Sequence, residues 1–313
     1  MIVFATSDKG GTGRSVTCAN IAYRRALTGD NVAYVDFDFG SPTAATVFEL
    51  GSAVRAHPGG GVHSYLQGRT AEPVRLDVWS LSEREALRGS LRGAGRLCLV
   101  PGDVGGGEFP ADEAVTRRCA NLFLALEEEF AVTLVDLSAG RSYAIDIALR
   151  TTARPELRDV VTRWLVFHRW TRQHLEATAA LVRDERGILQ IGAHWGHEQD
   201  ALEGRVRYVR AAVPGIDLPE QDTGFPAAGH GLRPEQKEWL KACDAELTRR
   251  SGKLGLGRTV TLGTVPLDPV LQWREQLITD EDVLMPQIAN RETAEAFQDL
   301  ADGLTDESRW ETL

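Results

Sequence analysis

Paired cysteines and long apolar runs are both missing from this 313-residue chain. Its four cysteines are scattered, without any C-x-x-C spacing, so neither a disulfide framework nor a zinc site is indicated. No uninterrupted apolar stretch reaches the ~18 residues that a membrane-spanning helix needs. The first residues, Met-Ile-Val-Phe-Ala, lack the basic and apolar segments of a signal peptide. We therefore expect a cytoplasmic protein.

Positive charge is also scarce, because 35 basic residues face 45 acidic ones and the formal net charge is −10. This balance disfavours nucleic acid as a general partner. A group of late basic residues is a candidate local patch, but a solvated face is the preferred interpretation against this acidic background: Arg205, Arg207, Arg210, Arg249, Arg250, Lys253 and Arg258. Residues 302–313 are acidic as well, so we expect no attachment of this tail to an anionic membrane.

Short apolar segments alternate with helical stretches, which predicts an α/β fold with a mostly parallel, doubly wound sheet and helices on both faces. Several segments are almost continuously apolar, as expected for strands buried on both sides. The predicted strands are residues 2–6, 31–36, 96–100, 132–137, 164–168, 207–212 and 259–265. The predicted helices are residues 13–27, 111–129, 172–185, 234–250 and 290–304.

Two segments interrupt this alternation. Residues 51–95 contain three consecutive glycines and many arginines, with one helical piece near 81–91, and residues 214–234 are rich in proline and glycine. Strand-like segments resume after each of them. We therefore predict a single domain over residues 1–313, with an insertion at 51–95 and a surface loop at 214–234.

A glycine-rich loop between the first strand and the first helix is the strongest local signal. Glycines allow a tight turn that points successive N–H groups into a concavity, and the helix that follows adds the positive end of its dipole. Such a loop predicts a phosphate site, in which a hydroxyl at the helix start would hold Mg²⁺. The residues are Lys9, Gly10, Gly11, Thr12, Gly13, Arg14, Ser15 and Val16.

This loop resembles the deviant Walker A motif, KGGxGKS/T, of the ParA/MinD family of P-loop ATPases. Three further segments resemble that family at matching distances: residues 35–40 with Asp36 and Asp38, residues 132–140 with Asp136, and residues 262–268 with Pro266 and Asp268. The likeness spans nearly the whole chain and is greatest to the MinD-like variant P-loop proteins of actinobacteria. It implies a P-loop NTPase fold, ATP or ADP with Mg²⁺ as cofactors, and a homodimer that sandwiches the nucleotides.

The resemblance also implies a role for each motif residue. Lys9 would reach the partner subunit's phosphates, and Asp38 would orient the attacking water. Ser15, Asp36 and Asp136 would serve the magnesium ion. The loop that carries Pro266 and Asp268 would border the adenine, because the asparagine that usually reads the base is absent from residues 207–213.

One departure from the motif concerns the second lysine, which is Arg14 here. Arginine keeps the positive charge, but its planar fork is wider than an ammonium group. Three functions remain open at this point. The first is a nucleotide-switched, slowly hydrolysing dimer that positions or regulates an unknown partner protein. The second is a non-hydrolysing module, with or without nucleotide, that serves as a scaffold. The third and least favoured is a metabolic ligase-like P-loop enzyme similar to the dethiobiotin synthetases, which would need a pocket of substrate-specific residues that the sequence does not reveal.

His194 and His197 are considered for a metal site, but neither a cysteine nor a helical spacing supports one, and a solvent-exposed loop is the preferred interpretation.

Overall fold

The computed structural model describes residues 1–89, 92–213, 233–285 and 287–311. Its strands are β1 (Ile2–Ser7), β2 (Val32–Phe37), β3 (Leu76–Asp77), β4 (Leu97–Val100), β5 (Val132–Leu137), β6 (Thr162–Arg169), β7 (Val206–Val213) and β8 (Thr261–Pro266). Its helices are α1 (Arg14–Leu27), α2 (Ala44–Val47), α3 (Gly51–Arg55), α4 (Val62–Leu66), α5 (Val78–Leu81), α6 (Glu113–Glu129), α7 (Tyr143–Thr152), α8 (Arg172–Arg183), α9 (Ile188–Trp195), α10 (Gln199–Gly204), α11 (Pro234–Lys253), α12 (Pro269–Trp273), α13 (Asp280–Leu284) and α14 (Arg291–Gly303).

The strands form one sheet in the order β3-β4-β2-β5-β1-β6-β7-β8. All neighbouring strands are parallel except β3, which runs antiparallel to β4 at the edge. The predicted α/β class with a mostly parallel sheet is therefore confirmed. Strands β2, β4 and β5 lie on one side of β1, and β6, β7 and β8 lie on the other. The chain therefore changes direction across the sheet at β1. Open α/β sheets bind ligands in the crevice at such a point, beyond the carboxyl ends of the strands.

Apolar side chains fill both faces of this sheet. One cluster lies on the side of α6, α7, α8 and α9, and the other lies under α1 and α14, which pack against each other. Every residue of β1, β2 and β5 is buried, which explains why their sequences read as continuous apolar runs. Ser7, Asp36 and Asp136 lie at the carboxyl ends of these strands and Asp38 follows β2, so the crevice brings the four polar residues together.

All seven predicted strands and all five predicted helices are present, with ends that differ by a few residues. The helical piece predicted near residues 81–91 is wrong over its described part, residues 81–89, which contains only the end of α5 at Leu81 and a short 3-10 turn at Glu85–Leu87. The antiparallel strand β3 and helix α7 were not predicted. The surface loop proposed for residues 214–234 lies almost entirely outside the described residues, as do the last two residues of the acidic tail.

None of the helices in the described ranges combines the length and apolar character needed to cross a bilayer.

Candidate phosphate and carboxylate site

The glycine-rich loop joins β1 to α1 and has the backbone of an anion-binding turn. Gly11 and Gly13 adopt positive φ angles of 72° and 76°, a region that favours glycine, and open space surrounds both of them. Gly13 is the residue that precedes α1, and no side chain caps this helix. The first N–H groups of α1 therefore lack a side-chain partner and remain suited to an anion.

A buried hydroxyl in this loop also lacks a partner. Thr12 is 3% exposed, and its Oγ1 has no hydrogen-bond partner among the described residues. An unpaired buried hydroxyl costs roughly 1–3 kcal/mol, so such groups usually meet a ligand or a water molecule. Thr12 is one of the residues that line a cavity beside the loop.

This cavity of about 200 Å³ lies between the phosphate loop and the segment after β8. Drug-sized ligands occupy pockets of roughly 300–1,000 Å³, so this space suits one part of a larger ligand, such as a base or a ribose. The residues that line it are Gly11, Thr12, Gly13, Val16, Thr17, Arg169, Ala211, Ala212, Val265, Pro266, Asp268, Leu271, Gln272 and Glu275. A predicted phosphate loop and a predicted base-binding segment thus share one cavity.

Sequence reasoning missed four polar residues of this cavity: Thr17, Arg169, Gln272 and Glu275. Arg169 ends β6, so its place after an apolar strand at the ligand edge was the available signal. Ala212 has a positive φ of 52°, which is rare for alanine, and lies where the register between β7 and β8 shifts.

Asp36, Asp38 and Asp136, hereafter the carboxylate cluster, lie on the other side of Arg14. The Arg14 side chain is only 6% exposed and does not extend into solvent. Its Nε donates a short hydrogen bond to Asp136 Oδ1, and its Nη2 donates to Asp38 Oδ2 at 2.9 Å. Its Nη1 lies 3.4 Å from Ser7 Oγ at the end of β1. Side chains from three neighbouring strand ends therefore fix the guanidinium.

Most of the remaining carboxylate oxygens also accept hydrogen bonds from the protein. Asp136 Oδ2 accepts from the hydroxyl of Tyr34 at 2.8 Å. Asp36 accepts from two backbone N–H groups, those of Asp38 at 3.2 Å and Ala44 at 3.0 Å. Five of the six oxygens in the carboxylate cluster are thus occupied, which are both of Asp36, both of Asp136 and Oδ2 of Asp38. Tyr34 was not predicted, because its place within an apolar strand gave no sign of a polar partner.

Burial and neighbouring charges set the protonation of this region. Burial opposes the charge of Arg14, but the carboxylates of Asp136 and Asp38 outweigh it and raise the pKa of the guanidinium. Burial and the negative charge of Asp136 together raise the pKa of Asp36 to about 8. Burial, followed by the charge of Asp136, also raises the pKa of the Tyr34 hydroxyl well above its usual value. Arg14 therefore stays charged, and Tyr34 stays a neutral donor.

The residues predicted for magnesium do not fit a metal ion in this arrangement. Mg²⁺ requires near-octahedral oxygen ligands and gives up its water reluctantly. Each carboxylate oxygen of Asp36 and Asp136 already accepts a hydrogen bond from the protein, and the neighbouring cation is Arg14. Ser15 is the second residue of α1 and is partly exposed, so among the residues predicted for magnesium its hydroxyl remains available.

The other predicted residues have these positions. Lys9 is partly exposed, and its carbonyl accepts a hydrogen bond from Ser7 Oγ at 2.9 Å. Asp268 is 2% exposed and its carboxylate binds the N–H of Val270 at 3.0 Å and Thr293 Oγ1 at 2.7 Å, so it caps α12 and holds the cavity wall. Gly140, in the turn after β5, donates its N–H to the Ser7 carbonyl at 2.7 Å.

The histidines and basic residues set aside above lie elsewhere. His194 belongs to α9, which corrects the expected loop, and His197 Nε2 contacts the carbonyl of Leu149 at 2.8 Å. Within the described ranges, no group of three or more His, Cys, Asp or Glu residues is arranged to hold a metal. The basic residues do not form one surface, because Arg207 is 1% exposed and binds the carbonyl of Arg309 at 2.7 Å.

The eight-stranded sheet and its phosphate loop define the P-loop NTPase fold. MinD and ParA proteins are among the solved structures with this fold that align along the chain. MinD of Aquifex aeolicus has a TM-score of 0.58 at 14% identity, covering 100% of this chain and 98% of that one. A putative plasmid partition protein from Borrelia burgdorferi B31, bound to AMPPNP, has a TM-score of 0.57 at 9% identity, with 98% of each chain covered. ParA of pNOB8, bound to nonspecific DNA, has a TM-score of 0.54 at 13% identity, covering 97% and 96%.

At these identities the likeness establishes the fold. No family model matches the sequence, and no curated protein is similar to it.

Proposed function

We propose that this chain is an ATP-binding switch protein of the ParA/MinD kind. The observation that carries the proposal is the unpaired Thr12 hydroxyl, which lies beside the uncapped start of α1 and lines the cavity that Pro266 borders. Phosphates would accept hydrogen bonds from residues 10–16, and the nucleoside would occupy the cavity. The Mg²⁺ ion that the resemblance implies fits this site less well, because the guanidinium of Arg14 already binds the carboxylate cluster.

We further propose that two copies sandwich two nucleotides, with Lys9 of each copy reaching the phosphates of the other. The partly exposed position of Lys9 at the edge of the loop supports this role, since its side chain is not confined to its own subunit's core. The similar structures include a complex of MinD with MinC and a ParA on nonspecific DNA. By analogy, the dimer would position or regulate a partner, whose identity the fold does not specify.

Hydrolysis in this proposal is slow. Phosphoryl transfer depends on positioning and charge stabilisation, and Asp38 is the proposed group for orienting water. Its Oδ2 is bound to Arg14 Nη2 at 2.9 Å, so the carboxylate is held toward the guanidinium and Oδ1 is the oxygen left to orient a water molecule. The ATP-bound state would therefore persist.

The second candidate function is a non-hydrolysing scaffold, and the same Arg14 contacts favour it. If the guanidinium never leaves Asp136 and Asp38, the chain binds nucleotide without turnover, or keeps the fold without nucleotide. Single-turnover measurements with ATP separate the two functions, because only the switch releases phosphate.

Substitution of Lys9 tests the sandwich dimer. Lys9→Ala should leave the monomer folded, since a partly exposed loop lysine contributes little to stability, and should abolish dimerisation with a non-hydrolysable ATP analogue. Static light scattering with and without the analogue measures the effect. Lys253→Ala is the matched control, because this exposed lysine is the last residue of α11 and lies at the amino ends of the strands, away from the glycine-rich loop. Equal dimerisation of Lys9→Ala and wild type would refute the role of Lys9.

A further inference from the structure

We propose that Arg14 is a tethered cation that takes the place of the divalent metal, so that this chain binds its nucleotide phosphates without Mg²⁺. The inference rests on the proposed nucleotide site and concerns only which cation serves it. In P-loop proteins generally, a magnesium ion neutralises phosphate charge and is held by a loop hydroxyl and a carboxylate at a strand end. Here the carboxylates at the strand ends already have a permanent cation.

The side chains of Arg14 and Tyr34 already contact the carboxylates that would otherwise serve a metal ion. Arg14 bonds to Asp136 and Asp38 with two different nitrogens, and its third nitrogen lies near Ser7 Oγ. Tyr34 occupies the second oxygen of Asp136. A metal ion or its water shell would compete with the guanidinium at one oxygen of this carboxylate and with the hydroxyl at the other.

The positive charge of the buried Arg14 guanidinium also opposes a metal ion at this place. Arg14 is 6% exposed and Asp136 is 1% exposed, so their attraction is weakly screened by solvent. A divalent cation beside them would place like charges close together in a buried region, where repulsion is strong. Expelling the guanidinium instead would require a route for a long, buried side chain out of contacts with three strand ends.

The guanidinium of Arg14 also keeps N–H groups that can donate to a phosphate. Arginine carries more N–H donors than its contacts with Asp136, Asp38 and Ser7 use. Arg14 also begins α1, directly after the loop that would hold the phosphates. One group can thus bind carboxylates and phosphate together, which is the arrangement that a metal otherwise provides. A lysine at this position has a single ammonium group and cannot form the same planar bridge.

Calorimetric titration of ATP tests the inference, with excess EDTA in one series and excess Mg²⁺ in the other. Wild-type affinity should differ between the two series by less than about threefold, well under the ~1.4 kcal/mol of a tenfold change. Arg14→Lys should weaken binding in EDTA by about tenfold or more relative to Mg²⁺, because the freed carboxylates would again recruit the metal. Arg96→Lys is the control, because Arg96 is exposed and pairs with Glu129 at 3.7 Å just before β4, at the amino ends of the strands. This variant should behave as wild type.

The two titration series separate a failure of the metal-free inference from a failure of the proposed nucleotide site. Wild-type binding that falls tenfold or more in EDTA would overturn the inference while leaving the proposed nucleotide site intact. Absence of ATP binding in both series would remove the proposed function itself. Because the wild-type comparison is sufficient, the test stands even if Arg14→Lys fails to fold.

Discussion

The phosphate loop with its cavity and the carboxylate cluster lie on opposite sides of Arg14, and they differ in how completely the protein satisfies its own polar groups. The loop has an uncapped helix start, an unpaired buried hydroxyl and an adjoining cavity. In the carboxylate cluster, five of six oxygens accept hydrogen bonds from the chain. The loop thus has polar groups that the chain does not satisfy, whereas most oxygens of the carboxylate cluster accept hydrogen bonds from within the chain.

The largest effect is expected where the carboxylate cluster loses its cation. Arg14→Met should lower the free energy of unfolding by about 3–5 kcal/mol, because Asp136 would remain buried without its partner. Urea denaturation measures the change. Arg250→Met is the control, since its pair with Glu176 is largely exposed and should contribute less than about 1 kcal/mol.

A double variant separates this explanation from a loss of packing. Adding Asp136→Asn to Arg14→Met should recover part of the stability, because the unpaired charge is removed. A double variant as unstable as the sum of the two single variants would mean that Arg14 stabilises by packing alone, and the contrast between the two regions would lose its basis.

A smaller effect is expected in the phosphate loop. Thr12→Val removes an unpaired buried hydroxyl without changing its volume, so the stability of the nucleotide-free protein should stay equal or rise. ATP affinity should fall by about tenfold, roughly 1.4 kcal/mol, because the nucleotide loses a hydrogen bond. Thermal unfolding and calorimetric titration measure the two quantities.

Thr133→Val is the matched control for this variant. Its hydroxyl is also buried and unpaired, but it lies early in β5, away from the cavity. The two variants should resemble each other in stability and differ in ATP affinity. If both leave ATP affinity unchanged, the Thr12 hydroxyl does not contact the nucleotide.

The smallest effect concerns the wall of the cavity. Ala212 has a φ of 52°, a conformation that costs about 1–2 kcal/mol for a residue with a side chain, whereas glycine loses only about 0.5–1 kcal/mol in entropy. Ala212→Gly should therefore raise the free energy of unfolding by about 0.5 kcal/mol. Ala211→Gly, at the neighbouring position without a positive φ, should lower it. Destabilisation by both substitutions would show that Ala212 is not strained.

The fold could be predicted from the sequence because its strands are buried on both faces and therefore read as apolar runs, as in β1 and β5. The glycine-rich turn between β1 and α1 was predictable for a similar reason, since its glycines and the helix that follows are local features. Strand β3 was not predictable, because two residues carry no periodic signal.

The state of the carboxylate cluster could not be predicted. Arg14 and Asp136 are separated by 122 positions, and the sequence indicates only that both lie at the ligand edge. Whether the guanidinium reaches the phosphates or the carboxylates depends on the distances between strand ends and on Tyr34, which holds the second oxygen of Asp136. These are properties of the packed sheet rather than of any motif.

A crystal structure of the wild-type protein with Mg²⁺ and a non-hydrolysable ATP analogue tests the central claim most directly. We expect the phosphates on the backbone N–H groups of residues 10–16, the nucleoside between Val16 and Pro266, and Arg14 still bonded to Asp136 and Asp38. A structure with Arg14 displaced and a metal ion bound through Asp136, or with the loop and cavity empty at saturating analogue, would contradict the account.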